Sequence, residues 1–124
     1  MPDQDNVMIV ASSDDFRDEI SLILNSEGFD PVTVCNGNSC LKKLAETRPI
    51  AVIVDEDVQS GGWVIGSNIR QESGVPIIVI GSSSADDAWL KAAAYGVDHF
   101  IRKPYGHREL VARIRAVSRR HKAL

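Results

Sequence analysis

Two residues far apart in this 124-residue chain carry groups whose chemistry is complementary: Asp55, which closes the run "IAVIVD", and Lys103, in "IRKPY". A carboxylate after an apolar strand sits at the strand's tip beside low-dielectric surroundings, where it can serve as a nucleophile or metal ligand. Taken singly it is equally well a turn former or a helix cap. A lysine before proline is by itself a turn signal, although Pro104 offers a cis bond that would aim the lysine inward. Around this pair lie further candidates: Ser12 in "VASS", Asp57, and the stretch "GSSS" that begins at Gly81.

Five short runs rich in β-branched residues must position these groups: 7–10, 31–35, 50–54, 76–80 and 99–101. They lack polar alternation, which points to strands buried on both faces, as in a parallel sheet covered by helices. Helical stretches at 14–26, 39–47, 62–72, 85–95 and 107–121 alternate with them, giving an α/β chain of (βα)5 type, doubly wound. Ser13 and Ser39 are the expected caps of the first two helices, with Asp14 and Asp15 at the first one's positive end. Gly28 and Gly96 mark helix exits. In the last helix Leu110, Ile114 and Val117 share a face and should meet the sheet, which turns Val111 and Arg113 elsewhere. No repeat or linker divides the chain, so residues 1–124 are expected to form one domain. Right-handed crossovers then bring 11–13, 55–62, 81–84 and Lys103-Pro104 to one edge of the sheet, where open α/β folds build their sites.

The composition, 44% apolar and 25% charged with a net charge of -3, is that of a globular domain and argues against a dedicated nucleic-acid binder. The basic tail "ARIRAVSRRHK" reads as a solvated helix face. Cys35 and Cys40 form a lone pair without zinc-site or disulfide spacing and are expected to be buried thiols. His99 and His107 have no partner cluster and are taken as structural or surface residues. "MPDQDN" lacks a basic leader, and no apolar run approaches membrane-spanning length, so a cytoplasmic location without membrane contact is expected.

Together "RPIAVIVDED", "VPIIVIGSS", "YGVDHFIRKPY" and "RELVARIRAVSRR" resemble, in order and over essentially the whole chain, the receiver domain of two-component response regulators. The resemblance implies a flavodoxin-like sheet with strand order 2-1-3-4-5 and a signalling module that is not an enzyme. It implies that Asp55 is the phospho-acceptor for a sensor histidine kinase and that Lys103 binds the phosphoryl oxygens. Cations there would neutralise the equatorial oxygens while the carboxylate attacks phosphorus in line.

The pattern is broken in two places. The acid pair that the family uses to hold magnesium falls on Ala11 and Ser12, leaving Ser12, Asp55 and Asp57 as a degenerate metal set. If each lost carboxylate weakens binding about tenfold, affinity for Mg2+ falls roughly a hundredfold. As a solvated loop residue Asp57 needs no explanation; swung inward, it would restore some charge. At the switch, Gly81 replaces the family's hydroxyl, so Ser82 or Ser83 could substitute only by a one-residue shift, and the aromatic switch at Phe100 loses its usual trigger. "VQSGG" (58–62) is short, lacks the usual proline and carries two glycines that imply mobility. Without magnesium, Asp55 and Lys103 should pair directly.

The last helix is most similar to that of the winged-helix class, which implies a homodimer or partner contact through the fourth helix, fifth strand and fifth helix. Its candidate residues are Trp89, Leu90, Glu109, Val111 and Arg113. Leu90, Ala93 and Ala94 are expected on the inner or shared face of the fourth helix, leaving the Trp89 indole outside. Trp63 begins the third helix near the site. Three readings follow: an atypical receiver acting through protein contacts, a conventional receiver phosphorylated on Asp55, and a flavodoxin-like cofactor protein using "ASSDD" as a phosphate loop. The last lacks the glycine that lets backbone amides wrap a phosphate.

Overall fold

The apolar runs pair in parallel. In the computed structural model, which describes residues 5–123, β1 (Asn6–Val10), β2 (Asp30–Val34), β3 (Ala51–Asp55), β4 (Ile77–Gly81) and β5 (His99–Arg102) form one sheet ordered β2-β1-β3-β4-β5. The helices α1 (Asp14–Ser26), α2 (Cys40–Thr47), α3 (Gly62–Glu72), α4 (Ala85–Tyr95) and α5 (His107–Ala123) follow the strands in turn. Of the acidic opening "MPDQDN", residues 1–4 lie outside the described residues, as does Leu124. Among the described residues no helix is long and apolar enough to cross a membrane.

The pleat sends successive side chains to opposite faces, and each face has its own core. Val7, Ile9, Ala51, Ile53, Ile78 and Ile80 pack with α1 and α5 residues such as Ile20, Leu24, Leu110 and Ile114. Met8, Val10, Val52, Val54, Ile77 and Val79 pack on the other side with Leu44, Trp63, Ile69 and Ala88. Strands β3 and β4 are buried throughout and β1 is buried from Val7 on, as expected, whereas the edge strand β2 is exposed at Asp30 and Thr33. The edge position also accommodates Pro31.

Ser13 caps α1 by accepting from the Phe16 amide, and Gly96 ends α4 in the left-handed region at φ 76. Ser39 makes no side-chain cap bond. A short 3-10 turn, Gly37–Ser39, precedes α2, and its cap is Asn36, which accepts from the Asn38 amide at 2.9 Å.

Three side-chain placements differ from expectation. Val111 is 3% exposed and belongs to the core under α5. The buried stripe there takes in adjacent residues, Leu110 with Val111 and Val117 with Ser118, so it is wider than a strict i, i+4, i+7 seam. On α4 the inner face is Ala88 with Ala92, whereas Leu90, Ala93 and Ala94 are exposed. Finally, Cys40 is buried, which pushes its thiol pKa up to about 11, but Cys35 is exposed.

Candidate functional site

Asp55 is the last residue of a strand whose every position is buried, and it is itself 4% exposed. Its parity in β3 turns it to the α1 and α5 face, where Lys103 arrives from the end of β5. Lys103 Nζ lies 3.1 Å from Asp55 Oδ1 and 5.1 Å from the centre of the Phe16 ring. The Asp57 amide also donates to Asp55 Oδ1, at 3.2 Å. Both bonds land on one oxygen, leaving Oδ2 without a donor among the described residues. The Lys103-Pro104 bond is cis, as the sequence suggested.

Beside this pair β1 is followed by buried Ala11, which has no side-chain oxygen. Its carbonyl accepts from Arg17 Nη1 at 2.6 Å, and the same guanidinium pairs with Asp14. A cation of the protein's own therefore lies at the mouth of β1. The Ser12 hydroxyl accepts from the Gln59 amide at 2.9 Å, tying the loop after β3 to β1. The Asp57 side chain is 74% exposed, although its Oδ2 lies 3.9 Å from Lys103 Nζ. Among the described residues no group of three or more His, Cys, Asp or Glu side chains is placed to hold a metal ion. Magnesium prefers several hard, anionic oxygens. The single buried carboxylate here, already bonded to an ammonium group, is a poor match for that demand.

The two glycines of "VQSGG" answer to geometry. Gly61 has φ 86, and a Cβ on Gly62 would lie 2.6 Å from the Asp55 carbonyl oxygen. Both are needed for α3 to start directly against the end of β3.

The residue after Asp55 turns to the opposite face, and sequence reasoning missed it. The Glu56 Oε1 atom accepts from the Ser82 amide at 2.9 Å and the Ser83 amide at 3.1 Å. Its Oε2 atom accepts from Trp63 Nε1 at 2.8 Å and from the Ser83 hydroxyl. Burial acts to raise the Glu56 pKa, but the bonds from Ser83, Trp63 and Ser82 outweigh it and hold the group below its ordinary 4.5. The Glu56 stem crosses directly over Gly81: a Cβ on Gly81 would lie 2.2 Å from Oε1 and 2.4 Å from the Glu56 Cβ. The place expected to hold a switch hydroxyl is thus filled by a carboxylate from the neighbouring strand. Asp55 pairs with Ile80 in the β3–β4 register, which sets residue 56 opposite residue 81, so the parallel order of the sheet is the signal that could have found it.

Trp63 carries this contact outward. Its ring stacks on Phe100 with centroids 5.7 Å apart and an angle of 19°, and Lys91 Nζ lies 5.9 Å from it. Phe100 in turn lines a groove of about 510 Å³ between α4 and β5, together with Ala88, Trp89, Ala92, His99 and Glu109. On α4, Trp89 is 78% exposed and its neighbour Leu90 66%. Of the five interface candidates, Trp89 and Glu109 line the groove, Leu90 is exposed on α4 without lining it, Arg113 acts electrostatically on His99, and Val111 is withdrawn into the core. Burial lowers the His99 pKa from its ordinary 6.5, Arg113 and Arg120 lower it further, and Glu109 opposes them. His107 lies on α5, with Nε2 3.5 Å from Glu27 Oε2.

Known proteins are similar to this chain in sequence and in fold. The sensory transduction protein RegX3 of Mycolicibacterium smegmatis is 31% identical over 93% of this chain and 51% of its own length. The DNA-binding response regulator MtrA of the same species is 28% identical, again over 93% and 51%. The chain therefore spans about half the length of these curated relatives. Among solved structures, the chemotaxis protein CheY4 of Vibrio cholerae superposes with a TM-score of 0.85 at 21% identity, over 93% of this chain and 99% of that one. The family model described as response regulator receiver domain matches residues 7–115. With that match over the sheet and its helices, the chain belongs to the receiver domains of two-component response regulators.

Proposed function

We propose that this domain is an atypical receiver, in which magnesium-dependent phosphorylation of Asp55 is weak or absent and signalling runs through protein contacts at the α4, β5 and α5 face. The observation that carries this reading is the direct ion pair of Lys103 with Asp55 at 3.1 Å, beside a β1 end that offers Ala11 and Ser12 in place of acids. Pairing satisfies the buried Asp55 carboxylate without a divalent ion, and the Ala11 carbonyl at the end of β1 is already taken by the Arg17 guanidinium. The partner is a sensor histidine kinase or another signalling protein. A second copy of this chain is the alternative occupant of the same face. RegX3 and MtrA, by their names, act in sensory transduction and DNA binding, so an effector domain joined to this receiver would extend the reading to transcriptional output.

Incubation with acetyl phosphate and millimolar Mg2+, followed by intact-mass measurement, tests the proposal. An unmodified mass is expected; a stable fraction one phosphoryl group heavier, lost in Asp55→Asn, overturns it. Titrating Mg2+ while following Trp63 fluorescence gives an independent measure, with no saturable change expected in the low millimolar range.

One observation favours the conventional reading: Asp57 Oδ2 lies within 3.9 Å of Lys103, so this carboxylate is turned toward the pocket. In that reading Asp57, Ser12 and waters complete a magnesium site, and Asp55 Oδ2 is the attacking oxygen. The cofactor-binding alternative finds no support at its loop, where the Ser12 oxygen accepts from Gln59 and the Ser13 oxygen caps α1.

A further inference from the structure

We infer that Glu56 is an internal anion that holds the β4–α4 loop, Trp63 and through it Phe100 in one arrangement, whatever the state of Asp55. Four donors converge on its two oxygens: the Ser82 and Ser83 amides, the Ser83 hydroxyl and the Trp63 indole N–H. Such convergence on a charged acceptor is the kind of hydrogen bonding that fixes a loop, because each donor gains more from an ionised partner than from a neutral one. These donors come from two separate elements, the loop before α4 and the first turn of α3, so the carboxylate staples them together. Gly81 contributes by having no side chain, since any Cβ would occupy the carboxylate's place.

The staple reaches the surface through one ring. Trp63, fixed by Glu56, stacks on Phe100, and Phe100 is a wall of the α4–β5 groove. Asp55 and Glu56 are neighbours in sequence but serve opposite faces of the sheet, so the groove side is anchored by a carboxylate other than Asp55. This inference deepens the atypical-receiver reading and rests on it for its biological sense, but its physical content is separate: a phosphorylated Asp55 would sink that reading while leaving the staple in place. Glu56 is a positioning residue here, not a reacting one.

Amide hydrogen exchange, followed by NMR on the whole chain, tests it. In Glu56→Ala the Ser82 and Ser83 amides should exchange about tenfold faster or more, and the Trp63 indole N–H resonance should shift. In Asp55→Asn both should stay within about twofold of the parent protein. Ser83→Ala removes one hydroxyl and serves if Glu56→Ala does not fold; it should speed exchange at Ser83 by about threefold or more. Unchanged exchange in the folded Glu56 or Ser83 variants overturns the inference, and so does a loosening in Asp55→Asn as large as that in Glu56→Ala.

Discussion

Replacing Gly81 by alanine should destabilise the domain far more than a single methyl group at a strand end ordinarily does. The new Cβ would lie 2.2 Å from Glu56 Oε1, 2.4 Å from its Cβ and 2.7 Å from its Cδ. The strand cannot retreat, because Gly81 pairs with Arg102 of β5, its carbonyl accepts from Lys103, and the Glu56 amide donates to Ile80. The backbone shifts, at about 1–3 kcal/mol for overpacking, and the carboxylate is pushed off its four donors. Those donors can find water at this partly exposed site, so their loss adds only about 1 kcal/mol, for a total of about 2–4 kcal/mol. Urea unfolding with an unchanged m-value should report that loss as a lower midpoint. Adding Glu56→Ala removes the two carboxylate clashes but leaves the Cβ contact, so it should recover about half. Glu56→Gly should recover most of it, less about 0.5–1 kcal/mol for the added chain freedom. A Gly81→Ala protein within about 0.5 kcal/mol of the parent would mean that Glu56 moves aside freely, and the reasoning about this corner would be wrong.

Lys103→Met leaves Asp55 buried without its counter-charge and should cost about 1–3 kcal/mol, below the range for fully buried pairs because the lysine is partly exposed. Asp55→Asn in that background should restore part of the loss, and a double-mutant cycle by urea unfolding showing strict additivity would rule out the pairing. Trp89→Ala with Leu90→Ala should leave stability within about 0.5 kcal/mol while abolishing any self-association seen by sedimentation equilibrium; a parent protein that stays monomeric at high concentration speaks against a homodimer on this face. For His99 the folded state favours the neutral ring, because burial and the nearby arginines lower its pKa from 6.5. Its stabilising contribution is therefore complete above pH 6.5 and is lost as pH falls through the lower folded value. His99→Gln should flatten that part of the stability-against-pH curve, and an identical slope in both proteins would contradict the assignment.

The strands and helices were legible because their signals are local and redundant: β-branched runs, serine caps and glycine exits agree along most of the chain. The Asp55 and Lys103 meeting was legible too, since right-handed crossovers leave little freedom in where βα loops gather. The face of α4 was not, because "ADDAWLKAAAY" is apolar around much of its circumference and its periodicity does not choose a side. Packing close to the sheet selected the small residues Ala88 and Ala92 for the inside and left Leu90 out. Val111 was misplaced for a related reason: a stripe inferred from three residues underestimates its width. Glu56 escaped notice because its meaning lies in a neighbour across the sheet, and an acid after a strand reads as ordinary until the register brings it over Gly81.

One peptide unit separates the Asp55 and Glu56 side chains, yet they serve different layers of the molecule. Exchanging a single letter at either position can therefore retune one layer with little effect on the other. A change at the first would thus leave the second in place as scaffolding for the face that carries the groove.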